Sequence, residues 1–197
     1  TPTSCPRWWR SARTPLPTLT PTITPTPGAG DIIIQTGDDV TLDSWAPDTN
    51  QGNAQKMDIR QGNIRSGLLR FDLSAIPAGA AIERATLHLH VVERSNWRDL
   101  TLALYRVRRT WDELGATWKL AGSGQPWGVP GCDGIGTDRD EFLLASALFP
   151  EPGQTLTVDI TELVREWHMH PDENNGLLLK GLGGVSVEYS VASFEHS

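Results

Sequence analysis

After residue 31 the chain is a succession of short apolar segments, each parted from the next by Gly, Pro, Asn or Asp, and this pattern limits the folds open to it. IIIQ at 32–35, VTL at 40–42, GLLRFDL at 67–73, ATLHLHVV at 85–92, LTLALYRV at 100–107, TLTVDI at 155–160, GLLLKGL at 176–182 and VSVEYSV at 185–191 read as strands. Within them apolar and polar residues alternate, so that Leu69, Phe71 and Leu73 take one face and Arg70 and Asp72 the other. One segment has a different period. Thr161 to His168 brings Leu163, Val164 and Trp167 to one face of a short helix, which Thr161 can cap and Pro171 stops. Many short strands and a single short helix predict an all-β fold, a jelly-roll-like β-sandwich. With 197 residues and 38% hydrophobic content, one sizeable core is expected.

Residues 1–30 are of another kind. TPLPTLTPTITPTP at 14–27 places Pro at nearly every second or third position, removing amide donors and fixing φ, which predicts an extended polyproline-II arm. Thr/Pro-rich stalks of this composition are acceptors of O-glycans outside the cell, so an extracellular or cell-surface glycoprotein is expected. The division is therefore an arm at 1–30 and a sandwich at 31–197. The formal charge of −7 argues against a phosphate-tracking surface, and nucleic acid is not an expected partner. No run of about 18 apolar residues is present, so no membrane span is expected either.

Three longer stretches carry a family resemblance. RSGLLRFDLSAIPAGAAIERATLHLHV at 65–91, TWDELGATWKLAGSGQPWGVPGCDGIGTD at 110–138, and VDITELVREW at 158–167 followed by ENNGLLL at 173–179 resemble, in order, the signature segments of DNRLRE-domain proteins. That family overlaps a carbohydrate-binding module family of secreted and cell-surface proteins. The resemblance spans about residues 36–197 and implies a jelly-roll-like sandwich. It implies less about function, because members occur as appendages to enzymes, adhesins and matrix proteins.

Trp111, Trp118, Trp127 and Trp167 lie among capping and turn residues and are expected to pack in core or corner positions. Trp45 and Trp97 stand in polar loop sequence, DSWAP and RSNWRD, and are the candidates for stacking on a polysaccharide ligand. Asp39, Asp43 and Asp48 supply hard oxygen atoms of the kind calcium takes, a candidate metal site set against a solvated turn. Asp133, Asp138, Asp140 and Glu141 form a second acidic stretch of the same kind. Cys5 and Cys132 fit no metal spacing and leave three readings open: a disulfide within the chain or between subunits, a buried thiol, or an exposed one. His88-Leu89-His90 could chelate zinc from one side of a strand with a third ligand, but the same alternation puts both on an outward face. His168 and His170 stand at the helix end.

No nucleophile elbow or phosphate loop occurs, and adjacent Asp112 and Glu113 would diverge on a strand, so the protein is not expected to be an enzyme. In the resembling family a further strand usually follows the segment matching VEYSVASFEHS at 187–197, which leaves two readings open: a sequence cut short of that strand, or an unfilled sheet edge. A donated strand would fill such an edge by β-augmentation, with the arm and its continuation at 31–35 as the donor. Two non-catalytic functions follow: a self-assembling subunit of a surface filament or matrix, with another copy as partner, or a carbohydrate-binding module attached through the arm.

Overall fold

A computed structural model describes residues 31–183 and 186–193. The chain divides into two units, Thr1–Asp31 and Ile32–Ser197, and the second holds every strand and helix described. The arm expected at 1–30, with Cys5 in it, lies outside the described residues.

The strands are β1 (Thr36–Asp43), β2 (Lys56–Arg60), β3 (Arg65–Phe71), β4 (Thr86–Arg94), β5 (Thr101–Arg106), β6 (Leu120–Gly122), β7 (Gln125–Pro126), β8 (Ala145–Leu148) and β9 (Thr155–Asp159). The helix α1 (Thr161–Met169) and a 3-10 turn at Pro171–Glu173 follow, then β10 (Leu177–Leu182) and β11 (Glu188–Ala192). The main sheet runs β8-β5-β10-β3-β2-β11-β4-β9, with β1 on β3. Between β3 and β2 a single rung, Arg60 opposite Arg65, holds the path together, and there it folds over. One layer is thus β8-β5-β10-β3-β1 and the other β2-β11-β4-β9. Met57, Ile59, Leu87, Leu89, Val91, Leu156, Val158, Tyr189 and Val191 from the second layer meet Leu69, Leu102, Leu104, Leu177 and Leu179 from the first in one core, closed at its end by Leu163, Val164 and Trp167 of α1. The all-β sandwich with one short helix is what the segment pattern predicts.

A second cluster changes the meaning of the alternation. Val40, Leu42, Leu68 and Leu178 face away from the main core and pack against Val107, Trp111, Ala116, Ala121, Trp127 and Cys132, which belong to a long covering segment. Both faces of β3 and β10 are therefore buried, and Leu68 and Leu69, then Leu177, Leu178 and Leu179, are all inaccessible. A strand covered on both sides reads as a continuous apolar run rather than an alternating one.

Several expectations are corrected. IIIQ at 32–35 is not a strand: β1 starts at Thr36, and Ile32 and Ile33 are exposed. The strands β2 and β8, and the short pair β6 and β7, are not among the segments the pattern predicts. Thr161 does not cap α1; it is the first helical residue, its N–H donates to Asp159 Oδ1 at 2.9 Å, and its hydroxyl accepts from the Ala85 N–H at 2.9 Å. VSVEYSV contributes an inner strand, since β11 pairs with β2 on one side and β4 on the other, so the open edge expected near the end of the chain is not on this strand. The Asn-Gly step before β10 has a plain cause. Gly176 has φ +83°, and a Cβ there would stand 2.0 Å from the Leu69 carbonyl oxygen.

Candidate functional site

β1, β2, β4 and β10 end, and β3, β5 and β11 begin, at one end of the sandwich, so the segments after Asp43, Arg60, Arg94 and Leu182 converge there. Trp45 follows β1 by two residues, and its N–H donates to Asp43 Oδ1 at 2.9 Å. Its indole is 63% exposed. The guanidinium carbons of Arg60 and Arg65 lie 5.0 and 5.6 Å from the ring centroid, so two cations meet the aromatic system.

Both arginines are anchored. Arg65 donates through Nε to Asp43 Oδ2 at 2.9 Å and through Nη1 to Asp58 Oδ2 at 3.1 Å and Glu188 Oε2 at 3.0 Å. Arg60 donates through Nη2 to the Ser186 hydroxyl, and its Nη1 stands 3.8 Å from Glu188 Oε2. Its Nε is buried without a hydrogen-bond partner among the described residues. Asp58 also accepts from the Ser190 hydroxyl at 2.6 Å. Burial is the largest influence on Glu188 and raises its pKa above the ordinary glutamate value, with Arg65 opposing and Asp58 adding to the rise.

Trp97, 75% exposed, lies on the loop between β4 and β5, with the Arg98 guanidinium 5.0 Å from its ring. Asn96 shapes this loop, accepting from the Arg98 N–H at 3.0 Å and donating to the Ser186 carbonyl at 2.8 Å. Ser95 and Glu188 are bonded both ways, Ser95 N–H to the Glu188 carbonyl at 2.9 Å and Glu188 N–H to Ser95 Oγ at 3.0 Å. Ser186 thus touches the neighbourhoods of both exposed tryptophans.

The other candidate residues are placed as follows. Asp39 is buried, with its N–H donating to Glu113 Oε1 at 2.8 Å; Asp43 is held by Arg65; Asp48 pairs with Lys119 Nζ at 2.8 Å. The three are not brought into a common set, and among the described residues no group of three or more His, Cys, Asp or Glu is arranged to hold a metal. Among the described residues Cys132 is a buried free thiol, its pKa driven far up by burial, and it packs in the second cluster. His88 and His90 lie on the exposed face of β4, opposite Thr157 and Thr155 of β9. Trp111, Trp127 and Trp167 are buried, and Trp118 packs against the second cluster.

Sequence reasoning missed Arg60, Arg65, Asp58 and Glu188. A signal was present. KMDIR and RSGLL flank Gln61-Gly62-Asn63-Ile64, where Gly62 and Asn63 have φ of +76° and +56°, the mark of a tight hairpin that sets Arg60 opposite Arg65.

Fold and geometry together define a β-sandwich module with an exposed aromatic platform surrounded by charged and amide groups at one end. The comparison with known families gives this class a narrower likeness. The model of carbohydrate-binding module family 96 matches residues 32–125, a stretch that includes Trp45, Arg60, Arg65 and Trp97. No curated protein matches the chain.

Proposed function

We propose that this protein is a non-catalytic carbohydrate-binding module of an extracellular or cell-surface protein, and that it engages polysaccharide at the Trp45 end of the sandwich. Of the two functions expected from the sequence, the family match fits carbohydrate binding better than self-assembly. The observation that carries the reading is the Trp45 ring, exposed to solvent and braced by Arg60 and Arg65. Sugar rings present apolar C–H faces that stack on such a ring, and their hydroxyls donate hydrogen bonds to carboxylates and exchange them with hydroxyl groups at the rim. Asp58, Glu188 and Ser186 supply that rim. The Thr/Pro-rich stretch then serves as the spacer that lets the module reach a substrate surface.

The test is affinity electrophoresis in gels containing a β-glucan, a xylan, a mannan or a polyuronate. Retardation of the wild type in at least one gel is expected. Trp45→Ala should lower affinity for that polysaccharide at least tenfold while Tm stays unchanged, because the removed ring is surface-exposed. Equal retardation of Trp45→Ala and wild type would place the ligand elsewhere.

A further inference from the structure

Resting on the carbohydrate-binding reading, we infer that the site takes the interior of a linear polysaccharide chain, with Trp45 and Trp97 as two stacking platforms on one ligand. Three observations carry this. First, the platforms stand at strand ends two strand spacings apart. Trp45 stands over Arg60 at the end of β2, whereas Trp97 follows Arg94, the last residue of β4, and β11 lies between these strands. Adjacent strands are about 4.8 Å apart, so the two strand ends are separated by roughly 10 Å, wider than a single sugar ring. Second, the separation is fixed. Arg60 under Trp45 bonds to the Ser186 hydroxyl, and Asn96 beside Trp97 donates to the Ser186 carbonyl, so one residue ties both platforms to the same short segment. Third, the ground between them is polar. Ser186, Glu188 and Asn96 lie along the track and offer hydroxyl, carboxylate and amide groups to the sugars that bridge the platforms. Both rings are open to solvent, so a chain can enter over one and leave over the other.

Two weak contacts on one ligand reinforce each other through effective concentration, whereas a ligand too short to reach both gains nothing from the second. Ligand length therefore reveals the role of Trp97. The experiment uses the whole chain, first screened by gel retardation against the β-glucan, xylan, mannan and polyuronate. The disaccharide and the octasaccharide of whichever polymer retards it are then titrated, by NMR and by calorimetry respectively. The wild type should bind the octasaccharide at least a hundredfold more tightly than the disaccharide. Trp97→Ala should weaken octasaccharide binding at least tenfold and leave disaccharide binding within twofold, while Trp45→Ala weakens both. A disaccharide bound as tightly as the octasaccharide, or a Trp97→Ala effect that is the same for both lengths or absent from both, overturns the two-platform inference and leaves carbohydrate binding standing. Failure of the wild type to bind any of the four polymers overturns the carbohydrate reading and this inference with it.

Discussion

Asp138 shows how one side chain can organise a loop with no regular structure. It is fully buried and accepts backbone N–H bonds from Gly128 at 2.8 Å, Val129 at 2.9 Å and Gly134 at 2.9 Å. Trp127, immediately before this turn, donates its indole N–H to the Thr117 carbonyl at 2.9 Å and helps close the second core. Asp138→Ala leaves these three donors without the buried carboxylate that accepts from them. Unsatisfied buried groups cost about 1–3 kcal/mol each and partly relax, so a loss of about 3–5 kcal/mol is expected in urea denaturation. A loss below about 1 kcal/mol would show that water replaces the carboxylate. In the sequence Asp138 was indistinguishable from Asp133, Asp140 and Glu141, because composition groups the carboxylates and only the folded loop shows which one faces inward. The exposure of Trp45 and Trp97 was legible for the opposite reason: each is a large apolar residue in a polar loop segment.

β10 carries the clearest relation between sequence and packing. Its three consecutive leucines record a strand covered on both faces, and the Gly before them records how closely the chain passes β3. Gly176→Ala must overcome both a positive φ and a backbone oxygen that cannot rotate away, so a loss of roughly 2–4 kcal/mol is expected, read as a drop in Tm. If Tm is unchanged, β3 and β10 separate more easily than their shared core suggests. The strands that escaped notice did so for different reasons. β2 alternates faithfully, with Met57 and Ile59 inward, but Lys56, Asp58 and Arg60 disguise it as a polar linker. β8, with the sequence ASAL, has weak strand propensity and forms through its pairing with β5. IIIQ shows the converse: β-branched residues make no strand where no neighbour supplies a ladder.

The described residues form three layers, two sheets and the covering segment, and the charge pattern across the last joint sets their response to acid. Asp133 of the covering segment accepts from Lys180 of β10 at 2.6 Å and from Arg139 Nε at 2.9 Å, while its other oxygen accepts from Asn63 Nδ2 at 3.2 Å on the β2–β3 hairpin. Three parts of the chain, distant in sequence, meet on one carboxylate. No local spacing announces this, which is why the covering layer and the convergence of the site loops were not legible although most strand segments were. Burial is the largest influence on Asp133 and would raise its pKa, but Lys180 and Arg139 together overcome it, so the folded value lies below the ordinary aspartate value. A carboxylate with a depressed folded pKa stabilises the protein above its unfolded value of about 3.9, and that contribution is lost as pH falls through the folded value. Asp133→Asn should therefore lower stability at pH 7, both by removing this contribution and by leaving the Lys180 ammonium, whose pKa burial already depresses, without its partner. The difference between the two proteins should shrink as pH is lowered from about 5 to 3, because protonation makes the wild type resemble the variant. Unfolding free energies from urea titrations across that range measure it. A gap that stays constant with pH would mean that Asp133 holds the covering layer by shape and neutral hydrogen bonding, with its charge contributing nothing.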